Sequence, residues 1–276
     1  MIAVTYEIDG VALFYEMRGQ GTPIVFIHPP VLSSISFAHQ IEYLAHRFTT
    51  VRFDIRGHGR SGPSRTPLTY PLIVDDIRQL MNHLQIEKAY LCGYSTGGSI
   101  VLEFLLAHPA RALGGILIGG ISEVHDLRLR TRIHLGMAFA KMRAIRTLAL
   151  SLAWSNSDSR SLFRQTYQDS KRGDGQNAAQ YYQYSLRYNC TDRLSAIRLP
   201  VLLVYGDKDR GFHSYARLLF QRLSNSELSF VPGVKHQVPT KASDELNERI
   251  VHFVAAHTAA EAPVRSEASG CSARPE

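Results

Sequence analysis

Three cysteines in 276 residues, Cys92, Cys190 and Cys271, are an odd number set far apart. They neither pair as a disulfide framework nor show the spacing of a structural zinc site, so no metal and no cofactor is expected. No apolar run approaches the ~18 residues of a membrane span. The opening MIAVTYEIDG has neither the basic nor the apolar region of a secretory signal. The expectation is a cytoplasmic protein with no membrane span. No internal repeat is present. The net charge of +7 is not spread evenly: residues 122–172 hold ten Lys and Arg against four acids, nearly the whole excess. No recognition motif for DNA or RNA accompanies that charge, so a nucleic-acid partner is not expected.

What the chain does contain is alternation. Residues 3–18 alternate apolar and polar about Asp9-Gly10, the signal of a two-residue hairpin turn. Short apolar runs follow at 23–28, 50–55, 89–94, 114–120, 201–206 and 228–233, each bounded by Gly, Pro or charged residues as in strands buried on both faces. Between them lie stretches with helical spacing, such as Ile73, Ile77, Leu80 and Leu84, or Leu246, Ile250, Phe253 and Val254. This predicts an α/β fold with a doubly wound, mostly parallel sheet over residues 1–258. The strand pattern lapses at about 121–190, which reads as a mostly helical insertion. Within it, Leu127 to Ile133 (LRLRTRI) alternates with period two and gives only weak helical periodicity. Residues 259–276, rich in Ala, Ser, Pro and Glu, read as a disordered tail.

Chemistry concentrates at Gly93-Tyr94-Ser95-Thr96-Gly97, a G-x-S-x-G pattern placed after an apolar strand and at the start of a helix. A serine on such a sharp turn has its hydroxyl lifted clear of the sheet, with glycines where side chains would collide. A hydroxyl needs an imidazole to take its proton and a carboxylate to orient that imidazole. Asp209 and His236 follow two later strands, in the order Ser, Asp, His. Together with His28-Pro29, Asp54 to Ser61 (DIRGHGRS), Gly206-Asp207-Lys208-Asp209 and Gly233-Val234-Lys235-His236, these motifs resemble the α/β-hydrolase superfamily over residues 1–257. The resemblance implies Ser95 as nucleophile, Asp209 as acid and His236 as base, and the insertion as a helical cap over the serine. Asp207 and Glu123 are rival acids, and His213 and His28 weaker bases. The Asp54 to Ser61 segment reads as a braced architectural loop.

One departure from the family pattern concerns charge stabilisation. The resemblance implies a first oxyanion donor at the Thr96 N–H and a second from the loop after the third strand. Many relatives have His-Gly-x there, with x as donor. This chain has His28-Pro29-Pro30, and Pro30 has no N–H to give. Either the Val31 N–H or a hydroxyl of Ser33 or Ser34 replaces it, or the hole is incomplete. The expected reaction is cleavage of an ester, lactone or thioester of a small-molecule acyl substrate through an acyl-enzyme. The alternatives are a ligand-sensing protein on the same scaffold or a C–C bond hydrolase. A serine at the elbow argues against dehalogenase and epoxide hydrolase chemistry, which the family performs with aspartate. His28, Tyr94, Met137 and Trp154 are candidate substrate contacts, although His28 also suits holding its own loop. Phe139, Met142, Phe163, Tyr167, Tyr181, Tyr182 and Tyr184 either line the pocket or hold the cap to the body. The basic insertion, with Arg128, Arg130 and Arg132, suits an anionic substrate or an acidic carrier protein, or is a solvated face.

Overall fold

The computed structural model describes residues 2–142 and 144–259. Asp9 and Gly10 both take positive φ, 49° and 73°, and turn β1 (Ile2–Ile8) back on β2 (Val11–Arg18). This is the twist that a two-residue hairpin requires. Then come β3 (Pro23–Ile27), β4 (Thr49–Phe53), β5 (Ala89–Tyr94), β6 (Ala112–Ile118), β7 (Val201–Gly206) and β8 (Ser226–Val231). The eight strands lie in the order β1-β2-β4-β3-β5-β6-β7-β8, antiparallel at β1, β2 and β4 and parallel from β4 to β8. The sheet is thus the doubly wound, mostly parallel one expected. Of these strands, β5 and β7 end with their apolar runs and the other four, β3, β4, β6 and β8, end one or two residues earlier, because residues such as Asp54 and Gly119 have already left the sheet for the loops.

Both faces are buried because alternate residues serve two cores. Val25 and Ile27 of β3 and Ala89 and Leu91 of β5 join one cluster, with α2 (Tyr70–His83), α3 (Thr96–Ala107) and α8 (His213–Arg222). Ile24, Phe26, Tyr90, Cys92 and Tyr94 join the other, with α1 (Ala38–Leu44) and α10 (Ser243–Ala259). A short helix, α9 (Val238–Lys241), completes that side. Cys92 and Cys190 are buried and unpaired, while Cys271 and the expected tail lie outside the described residues. No helix among the described residues is long and apolar enough to cross a membrane.

Between β6 and β7 the chain forms four helices, α4 (Leu127–Lys141), α5 (Ile145–Ser155), α6 (Arg160–Ser170) and α7 (Gly175–Arg187). The alternating LRLRTRI segment is helical. Asp126 caps α4 by accepting from the Leu129 N–H at 2.8 Å, and the alternation carries no sheet because Leu127, Arg128 and Arg130 are exposed while Leu129 and Ile133 pack inward at helical spacing. Side chains of α7 bolt the helices to the body. Tyr181 is fully buried and its hydroxyl donates to the His28 carbonyl at 3.0 Å, while the Tyr70 hydroxyl donates to Ser185 Oγ at 2.9 Å.

The Asp54 to Ser61 loop is held from inside. The Arg56 guanidinium donates to both Asp76 oxygens at 2.7 and 2.6 Å, and the Ser34 and Arg60 amides each donate to Asp54 at 2.8 Å. His58 is also fully buried, its Nδ1–H donating to the Arg56 carbonyl at 2.9 Å while Nε2 lacks a partner. Burial, and secondarily the nearby His28 ring, push its pKa down to about 3. The folded protein therefore holds His58 neutral while the unfolded chain binds a proton below about pH 6.5, so this contribution to stability is present above that pH and is lost as the pH falls toward 3. Between pH 6.5 and pH 5, His58→Gln should lose about 1.5 kcal/mol less unfolding free energy than the native protein. Urea titrations at the two pH values measure this, and equal losses would refute it.

Candidate active site

The sheet reverses its winding at β3, whose neighbours are β4 on one side and β5 on the other. Ligands of open α/β sheets collect beyond the carboxyl ends of the strands at such a point. Ser95 stands there, at φ 55° and ψ −123°, between β5 and α3. A non-glycine residue in this region is strained, and persists only where its surroundings determine it. The surroundings do so here. A Cβ on Gly93 would collide with the backbone of Gly97, and one on Gly97 with the Ile27 carbonyl, so both positions need glycine for β5, α3 and β3 to approach so closely. The Ser95 amide itself donates to the Ile118 carbonyl at 2.7 Å and is not available to a ligand.

Ser95 Oγ lies 3.0 Å from His236 Nε2, and His236 Nδ1 lies 2.7 Å from Asp209 Oδ2. The carboxylate fixes the tautomer: Nδ1–H donates to Asp209, leaving Nε2 to accept from the serine hydroxyl. Asp209 hangs from the turn after β7, its amide donating to the Gly206 carbonyl at 3.1 Å, and His236 follows β8. Phe212 and Tyr94 flank the imidazole, at ring-centroid distances of 4.2 and 5.4 Å. Burial, and then the negative charge of Asp209, drive the Tyr94 phenol pKa well above its ordinary value. The phenol donates to Asn156 Oδ1 at 2.8 Å.

The rival residues are engaged elsewhere. Asp207 is exposed and, among the described residues, only its amide is bonded, to the Val231 carbonyl at 2.9 Å. Glu123 accepts from Asn189 and Thr191 at 2.9 and 2.7 Å and lies 3.5 Å from His125. His213 reaches the Gly206 carbonyl at 3.2 Å. His28 is fully buried, Nδ1–H donating to the Pro29 carbonyl at 2.8 Å and Nε2 accepting from the Ile55 amide at 2.9 Å. With both nitrogens used and burial lowering its pKa, it fastens its loop.

A cavity of about 320 Å³ opens onto Ser95 and His236. Pro29, Pro30 and Leu32 form its wall on the body side, and Leu129, Ile133, Phe139, Leu148 and Tyr182 its wall on the helical side. Tyr94 lines it as expected, but three other candidate substrate contacts do not. His28 is fully buried in its own loop. Met137 packs instead against the small cluster around Ala140, Ala149 and Ala178. Trp154 is 77% exposed on the outer surface, edge-on to Phe163. An apolar side chain on a helix of unknown rotation gives no clue to which wall it joins. Of the other candidates in the insertion, Phe139 and Tyr182 line the cavity, Tyr181 and Tyr184 pack into the body, Tyr167 packs against the cluster around Ala140, and Met142 is 77% exposed.

Sequence reasoning missed Asn156, which nothing in the pattern distinguishes, and Gly119, which the doubled glycine at the end of β6 does signal. Gly119 has φ 59°, and a Cβ there would stand 2.7 Å from His236 Cε1. Its lack of a side chain makes room for the imidazole. Neither Val31 nor Thr96 has a hydrogen-bond acceptor for its amide among the described residues. Val31 has φ 70°, a left-handed conformation rare for a β-branched residue. The Ser33 and Ser34 hydroxyls are buried without partners, and the Ser34 amide is committed to Asp54.

If the imidazole position depends on that gap, Gly119→Ala should slow labelling of Ser95 by a fluorophosphonate about tenfold or more, because small displacements of reacting groups cost large factors in rate. Mass spectrometry of the labelled protein against time provides the rate. An unchanged rate in a folded variant would show that the ring does not depend on Gly119.

Among known proteins, residues 22–241 match the model of the family described as serine aminopeptidase, S33. A non-heme haloperoxidase of Rhodococcus erythropolis is 26% identical over 265 residues, covering 89% of this chain and 97% of its own. The serine hydrolase BPHL of Mus musculus is 27% identical, over 90% of this chain and 84% of its own. In structure, the enol-lactonase from Burkholderia xenovorans LB400 superposes with a TM-score of 0.80 at 19% identity, over 91% of this chain and 99% of its own. The esterase from Exiguobacterium antarcticum does so with 0.82 at 20%, over 92% and 100%. The match spans most of the chain and contains the serine, the aspartate and the histidine: the protein belongs to the serine aminopeptidase S33 family of the α/β-hydrolase superfamily.

Proposed function

We propose that the protein is a serine hydrolase cleaving a carboxylic ester, lactone or thioester of a small molecule through an acyl-enzyme. The observation that carries this reading is the continuous hydrogen-bonded chain from Ser95 Oγ through His236 to Asp209. The presence of an enol-lactonase and an esterase among the proteins of like fold is consistent with it. Helices α4 to α7 act as the cap, closing an apolar cavity over the serine.

In the first half-reaction Ser95 Oγ bonds to the substrate carbonyl carbon while its proton passes to His236 Nε2. The carbonyl electrons move onto oxygen. The tetrahedral adduct collapses, the bond to the leaving group breaks, and that group takes the proton from His236. Water then attacks the acyl-enzyme, giving its proton to His236. The second adduct expels Ser95, which recovers the proton as the acid departs. Asp209 stabilises the imidazolium of both transition states without itself being protonated.

The oxyanion is held by the Thr96 and Val31 amides. The prolines supply no donor of their own. With His28 bonded at both nitrogens they stiffen the loop, and Val31 is turned into the left-handed region with a free N–H. Two donors in place matter, since losing one costs about 10²–10³ in turnover.

Replacing Ser95 by Ala should lower kcat for 4-nitrophenyl butyrate by about 10³-fold or more, with no butyryl adduct on the protein by mass spectrometry. Hydrolysis equal to that of the native protein would end the acyl-enzyme reading. In a crystal of the trifluoromethyl ketone adduct, the oxyanion should sit about 2.7–3.1 Å from both the Thr96 and Val31 nitrogens. An oxyanion touching Thr96 alone would eliminate Val31 as donor.

A further inference from the structure

Among the described residues, Arg132 on α4 is, apart from His236, the only basic residue lining the cavity, and no Asp or Glu lines it. The guanidinium makes no hydrogen bond and no ion pair among the described residues. Arg52, Arg56 and Arg193 are all paired with carboxylates, and Arg130, two residues away, donates to the Val124 carbonyl at 3.2 Å. Arg132 shares the cavity lining with Tyr94 and Tyr182. It pulls against the upward shifts that burial imposes on the phenols of Tyr94, next to the serine, and Tyr182 on the helical wall. The Tyr182 hydroxyl likewise has no hydrogen-bond partner among the described residues.

We propose that Arg132 binds a carboxylate carried by the substrate, so that the preferred substrates are monoanionic carboxylate esters or lactones rather than neutral ones. This deepens the serine hydrolase reading and rests on it. A guanidinium presents paired N–H donors that match a carboxylate, and such charge-assisted bonds are the strong ones. Here one largely apolar cavity is lined both by the cation, whose side chain is partly open to solvent, and by Ser95. A substrate with its carboxylate on Arg132 and its hydrocarbon along Ile133, Phe139 and Leu148 has its scissile carbonyl directed toward Ser95. The other arginines at the start of α4, Arg128 and Arg130, do not line the cavity, so the anion preference resides in one residue and not in the basic surface as a whole.

The test compares 4-nitrophenyl hydrogen adipate, a monoanion, with its neutral methyl-capped ester, using native protein, Arg132→Gln, Arg132→Lys and Arg128→Gln. The ratio of kcat/KM for the anionic ester to that for the neutral one should fall about tenfold or more in Arg132→Gln. It should recover in part in Arg132→Lys and match the native ratio in Arg128→Gln. Equal ratios in native protein and Arg132→Gln overturn the assignment, even where both esters are cleaved and the hydrolase reading stands. If neither ester is turned over, the hydrolase reading fails, and monomethyl adipate tests the anion site alone. A rise in melting temperature in the native protein that is lost in Arg132→Gln supports the site, and no rise in either overturns it.

Discussion

The structure turns on the close crossing of α3 against the end of β5. Two backbones approach there without a Cβ between them, at Gly93 and Gly97, and the residue in the bend is Ser95 at a strained positive φ. Strain of this kind costs about 1–3 kcal/mol and is sustained by packing around it. The packing is extensive: α3 is buried through Ile100, Val101, Leu102, Phe104 and Leu105, and Gly97 lies against the Ile27 carbonyl of the neighbouring strand. Relaxing the bend would separate α3 from β3 and open the core. The same contacts that stabilise the sheet therefore hold the hydroxyl in place and point the first amides of α3 at whatever binds beside it.

The loop after β3 is the second fixed wall, and its prolines make sense only together with His28. An exposed histidine followed by two prolines would be a stiff but unanchored segment. Here the ring accepts from the Ile55 amide and donates to the Pro29 carbonyl, while the His28 carbonyl accepts from Tyr181 of α7. One residue thus joins the β3 loop, the β4 loop and the helical insert. Burial keeps the imidazole neutral, which the bond from the Ile55 amide to Nε2 requires. The loop gives up donors at two positions and gains a rigid path that delivers Val31 in a conformation few valines adopt.

The sheet and the Ser95, Asp209, His236 set were legible in the sequence because both follow from local rules. Strands buried on both faces read as short apolar runs, and a nucleophile on a strand-to-helix turn needs glycines at fixed offsets. The doubled glycine after β6 carried a readable sign of the room left for His236, yet its meaning depends on a residue more than a hundred positions away. The helical side of the cavity was not legible. Whether Met137, Phe139 or Trp154 faces the serine depends on the rotation of α4 and α5 against the body. That rotation is set by contacts such as Tyr181 with His28 and Tyr94 with Asn156, between residues far apart in the chain. The alternation of LRLRTRI gave only a weak helical signal for the same reason: with Leu127, Arg128 and Arg130 exposed, that stretch of helix owes its conformation to the Asp126 cap and to contacts further along.

The distribution of charge around the cavity is the last constraint. Asp209 lies behind His236, so its negative charge acts through the imidazole and no carboxylate lines the cavity itself. The cation among the described lining residues is Arg132, and most of the other lining residues are hydrocarbon or aromatic. Charges separated by such material are screened less than in water. An anionic group entering this cavity therefore meets attraction from Arg132, and the carboxylate behind the histidine is already paired with it. A cationic substrate meets the reverse: repulsion from Arg132 and no exposed carboxylate to receive it. The family name refers to a peptidase acting at an amino terminus, a group that is positively charged at neutral pH. The charge pattern of this cavity disfavours such a group, because the cation at Arg132 has no carboxylate beside it among the described lining residues.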